Sequence, residues 1–87
     1  MGQSRNIPNR LRRYRRIAGY KQYEVAELLG LRCTDRLSRW EKGISMPSLS
    51  NVLKLSVIYK TLVEELYFDL VKESRQELSN TFISKRP

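Results

Sequence analysis

Residues 22–43 read Gln22-Tyr23-Glu24-Val25-Ala26-Glu27-Leu28-Leu29-Gly30-Leu31-Arg32-Cys33-Thr34-Asp35-Arg36-Leu37-Ser38-Arg39-Trp40-Glu41-Lys42-Gly43. The spacing predicts two short helices. The first runs from about residue 21 or 22 to 29, turns Val25, Ala26, Leu28 and Leu29 inward, and is stopped by Gly30. The second covers about 34–42, with Cys33, Leu37 and Trp40 on one side and Gly43 at its end. Ala26 supplies the small residue needed where the helices cross, and Gly30 tolerates the backbone angles of a tight turn. Such a pair is a helix-turn-helix. With Leu37 inward, a step of about 100° per residue projects Asp35, Ser38, Arg39 and Lys42 outward. Thr34 and Arg36 fall on the flanks near the helix start.

Working outward, Ile7, Leu11, Tyr14 and Ala18 are four, three and four apart, one apolar stripe of a preceding helix. Asn9, after Pro8, can cap it, and Gly19 closes it. Arg12, Arg13 and Arg16 lie opposite the stripe, and Arg15 lies on its flank. Downstream, Pro47 makes a loop of residues 44–47. Ser48 can cap a fourth helix to about residue 59, with Leu49, Val52, Leu53 and Ser56 inward. A break at Lys60-Thr61, marked by neither Gly nor Pro, leads to a fifth helix over about 62–78. Residues 1–8 read as a flexible basic N-terminus, 9–78 as one domain, and 79–87 as a loose polar tail.

Composition narrows the function. The 87 residues carry 17 Lys and Arg against 9 Asp and Glu, a net charge of +8, with one Cys and no His. A chain this short forms one domain with a small core. A single cysteine makes no internal disulfide, which points to a reducing, cytoplasmic setting. Without His, zinc sites and His-based catalysis are all but removed, so neither cofactor nor metal is expected. No apolar run approaches the roughly 18 residues of a membrane span, and no signal-peptide segment follows the N-terminus. The charge is uneven. Residues 1–23 hold Arg5, Arg10, Arg12, Arg13, Arg15, Arg16 and Lys21 and no acid. An acid-free, arginine-rich run suits a polyanion, because the guanidinium fork matches phosphate; a solvated helix face is the plainer reading of a charge run.

Gln22-Tyr-Glu-Val-Ala-Glu-Leu-Leu-Gly30, Leu37-Ser-Arg-Trp-Glu-Lys-Gly43, Pro47-Ser-Leu and Leu53-Lys-Leu55 together resemble the Cro/repressor-type helix-turn-helix domains, the XRE family. The resemblance covers roughly residues 10–67. It implies an all-α, compact five-helix lambda-repressor-like fold and sequence-specific binding to double-stranded DNA, usually by a transcriptional regulator and commonly as a homodimer. One residue more than the usual pattern lies between Gly30 and Trp40, so the turn should be longer.

By matching positions, Thr34, Asp35, Ser38 and Arg39 face base edges. Arg39 could pair with guanine, and Asp35 could accept from cytosine or simply favour the helix dipole. Gln22 would bond a backbone phosphate and brace the third helix, or act only as a capping amide. Arg12, Lys21, Arg36 and Lys42 are phosphate contacts or solvated charges. The family pattern also pairs Arg15 with Glu41 in a salt bridge. Cys33 reads as a small hydrophobe packed at the helix start. The surplus apolar side of the fifth helix (Leu66, Tyr67, Leu70, Val71) could seat a second copy or pack within the chain.

Other function classes are weaker. An antitoxin or other interaction module on this fold would bind a protein partner, a toxin or a regulator. Membrane-surface binding by the first helix is disfavoured by its short stripe without Trp or Phe. An enzyme is disfavoured because the carboxylates are scattered and no Ser or Cys has a base beside it.

Overall fold

The computed structural model describes residues 6–85, with side chains to residue 81. It contains α1 (Leu11–Ile17), α2 (Gln22–Leu28), α3 (Asp35–Lys42), α4 (Leu49–Ile58), α5 (Val63–Leu66) and α6 (Phe68–Lys85). No strand occurs among the described residues, and none of their helices is long and apolar enough to cross a membrane. Residues 1–5 of the expected basic N-terminus and residues 86 and 87 of the expected tail lie outside the described part.

Leu11, Val25, Leu37, Trp40, Val52, Leu55, Tyr59, Leu66 and Tyr67 form one buried cluster drawn from α1 to α5 and from the residues that follow α4 and α5. It closes over the inward sides of α2 and α3, so the helix pair is held from behind. Ser48 caps α4 by accepting the Asn51 N–H at 3.2 Å. Gly43 ends α3 at φ 77°, and a Cβ there would collide with the Ile7 backbone.

Several expectations are corrected. The fifth helix is two, broken at Tyr67 with φ −124° and ψ 47°. The break turns Leu66 and Tyr67 into the core, and the Leu66 carbonyl accepts the Arg10 N–H at 2.8 Å. Beyond it α6 runs on to Lys85 through what was expected to be a loose tail. Residues 79–84 are weak helix formers, but none up to Lys85 is Gly or Pro, so a helix already nucleated upstream propagates into them, and the Thr81 hydroxyl donates to the Glu77 carbonyl at 2.9 Å. α4 buries Val52 and Leu55, and Tyr59 just beyond it is buried too, whereas Leu49 and Leu53 are 73% and 50% exposed. α4 is apolar on several sides, so its own periodicity does not select the inward one. Leu28 faces outward as well, and Cys33 is exposed in the turn. Ala18, expected on the buried stripe of the first helix, is exposed.

Candidate nucleic-acid interface

α3 begins at Asp35, after Thr34 as the flanking cap residue. The six residues from Leu29 to Thr34 separate it from α2. The Leu31 N–H closes back on the Ala26 carbonyl at 2.9 Å. Leu37 and Trp40 anchor α3 inward. Asp35, Arg36, Arg39 and Lys42 are exposed, and Thr34 and Ser38 are half-buried. Thr34, Asp35, Ser38 and Arg39 therefore share the open side of one helix. The first turn of α3 carries an acid and the last turn two bases, as its dipole favours.

Behind that side lies a polar hub. The Arg15 guanidinium grips the Glu41 carboxylate with two donors, Nε to Oε2 at 2.6 Å and Nη2 to Oε1 at 3.2 Å. The two side chains are 10% and 3% exposed. Arg15 Nη1 donates to the Tyr20 carbonyl at 2.9 Å, and Gln22 Nε2 donates to Glu41 Oε1 at 3.0 Å. One carboxylate on α3 is thus tied to α1 and α2. Its hydrogen bond raises the Arg15 pKa above the ordinary value, against the lowering effect of burial.

The hub floors a cleft of about 410 Å³ between α1 and α3, lined by Arg12, Gln22, Ser38 and Lys42 besides the ion pair. It brings three of the sequence-predicted phosphate contacts together. Lys21, exposed, stands at the N-terminus of α2. Arg36 is exposed on α3 and does not line this cleft.

Sequence reading missed the strap that holds the far end of α3. Asn9 does engage the start of α1, where its Oδ1 accepts the Leu11 N–H at 3.0 Å. Its Nδ2 also reaches the Trp40 and Glu41 carbonyls at 3.1 and 3.3 Å. The Ile7 N–H donates to the Gly43 carbonyl at 2.7 Å. These bonds serve carbonyls at the C-terminal end of α3, where the helix ladder runs out; the Trp40 carbonyl also accepts the Gly43 N–H at 3.0 Å. Tyr59 was also missed as a polar group. Its hydroxyl is buried without a partner. Burial pushes its pKa far up, and the Glu41 charge adds to this while the Arg15 charge opposes it.

A family model described as helix-turn-helix matches residues 11–66, the span from the first residue of α1 to the last of α5. No curated protein and no solved structure matches the chain.

Proposed function

The chain belongs to the Cro/repressor-type helix-turn-helix family, and on that premise we propose that it is a sequence-specific regulator of transcription whose α3 enters the major groove of double-stranded DNA. The observation that carries this reading is the two-sidedness of α3. Its inner side is fixed by Leu37, Trp40 and the Glu41 hub, and its outer side is polar and uncovered. A groove about 12 Å wide admits such a helix. In this reading Thr34, Asp35, Ser38 and Arg39 meet base edges. Arg12, Lys21, Gln22, Arg36 and Lys42 meet phosphates, which position the protein without reading sequence. Two copies would occupy half-sites about one helical turn apart.

Selection from a random duplex library tests the reading, followed by titration of the preferred site. Arg39→Ala should cost about 1–3 kcal/mol on that site and flatten the preference at one position. Equal binding of selected and scrambled duplexes would refute sequence recognition. A protein partner, a toxin or another regulator, draws support from a different observation. Leu28, Leu53 and Val57 are exposed together beside α4, and contiguous apolar surface marks interaction sites. Co-purification with a stoichiometric small protein would favour that role.

A further inference from the structure

α1 breaks local rules in one place and for one kind of residue. Arg12 and Arg13 stand in its first turn, where the helix dipole disfavours positive charge and where no acid is present. Arg12 and Arg16 are four apart, and Arg13 and Arg16 three apart, so like charges meet on the helix surface and weaken it. All three are exposed. The ion pairs among the described residues are Arg15–Glu41 and Arg75–Glu64, so no acid neutralises these three arginines. Arg10, by contrast, lies over the Phe68 ring at 4.3 Å. Local rules broken with no gain inside the molecule point to a ligand outside it.

The three arginines also share a place. Arg12, Arg13 and Arg16, with Asn9, Arg10, Ile17 and Glu41, line an open groove of about 700 Å³ along α1, and the one acid there, Glu41, is already paired with Arg15. Arg12 lines the α1–α3 cleft as well. The basic surface therefore runs from Ser38 and Lys42 on α3, through Arg12, to Arg13 and Arg16 on α1.

We propose that Arg13 and Arg16, joined to the α3 cleft through Arg12, form a second phosphate track that grips the duplex backbone outside the base pairs read by α3. The inference rests on the DNA-binding reading and adds a footprint to it. The ligand is a run of phosphodiesters on the same duplex. Their recognition is by charge and guanidinium hydrogen bonds and is indifferent to base sequence.

The test uses the full chain and its selected duplex in two lengths, one with about one helical turn of flanking DNA on each side and one trimmed to the selected site. Binding is measured against salt for wild type, Arg13→Gln/Arg16→Gln and Arg13→Lys/Arg16→Lys. Each neutralised phosphate contributes about −0.9 to the slope of log K against log salt. The glutamine pair should reduce the slope on the long duplex by about 2. It should leave the ratio of selected to scrambled binding unchanged and match wild type on the trimmed duplex. The lysine pair should keep the wild-type slope. A slope unchanged by the glutamine pair overturns the track, as does an equal loss on both lengths. Failure of the wild type to prefer any duplex refutes the underlying reading instead, and the track with it.

Discussion

Glu41→Ala is the sharpest perturbation of the hub. The carboxylate accepts three hydrogen bonds, two from Arg15 and one from Gln22. Its removal strands a guanidinium whose side chain is only 10% exposed, leaving it the Tyr20 carbonyl alone. Breaking one partner out of a buried pair costs about 3–5 kcal/mol, because the remaining charge keeps its desolvation penalty. At roughly 0.05–0.15 kcal/mol per residue, the whole 87-residue chain has about 4–13 kcal/mol to lose. With about 4–8 °C per kcal/mol for a domain of this size, the melting temperature should fall by roughly 12–40 °C. Lys42→Ala, one residue along and exposed, should stay within about 0.5 kcal/mol of wild type. Thermal melts and urea titrations followed by circular dichroism compare the two. Equal melting temperatures would refute the reasoning, since the pair would then contribute nothing that the surface lysine does not.

Three further outcomes are expected. Burial raises the Tyr67 pKa from 10.0 to about 12, so between those values the unfolded chain has lost a proton that the folded chain still holds. Stability should be complete below pH 10 and fall above it, by about 1.4 kcal/mol per pH unit for this group; Tyr67→Phe should flatten the decline in pH-dependent urea titrations and, because the hydroxyl has no partner, cost little at pH 7. Lys60 ends α4 in the left-handed region at φ 53°, where Lys60→Gly should stabilise by about 1 kcal/mol; an unchanged urea midpoint would count against strain there. Gly43→Ala should destabilise by more than 1 kcal/mol in the same assay, because left-handed φ strain adds to the collision with Ile7.

Much of the site was legible because its punctuation is chemical. Gly30 and Gly43 stop helices, Leu37 and Trp40 fix the inward direction of α3, and the outward set follows from helical geometry alone. The misreadings have a common physical cause. Leu49, Val52, Leu53, Leu55, Val57 and Ile58 surround α4, so periodicity names no single buried side, and packing against α5 decides it. The break at Tyr67 carries no Gly or Pro, because it is set by Leu66 and Tyr67 entering the core rather than by local preference. Asn9 looked like a cap. Its bonds to Trp40 and Glu41 span more than 30 residues and leave no local trace.

The ion pair behind α3 raises a further question of physical purpose. Replacing a buried pair by apolar residues of similar volume is often neutral or stabilising, so net stability does not explain why Arg15 and Glu41 are there. Position does. Three directed hydrogen bonds converge on Glu41 from α1 and α2 and, with the Asn9 bonds to the Trp40 and Glu41 carbonyls, fix both the rotation of α3 and its far end. The apolar contacts of Leu37 and Trp40 set which side of α3 faces inward, directed hydrogen bonds narrow its rotation further, and the proposed DNA-reading role would need side chains placed to within about 0.5 Å. Arg15→Met/Glu41→Leu therefore separates the two roles. It should recover most of the melting temperature lost by Glu41→Ala, yet bind the selected duplex with a smaller advantage over a scrambled one, while its salt slope stays that of wild type. A double variant that regains stability and discriminates as well as wild type would show that the hub supports the fold and leaves the aim of α3 to Leu37, Trp40 and the Asn9 strap.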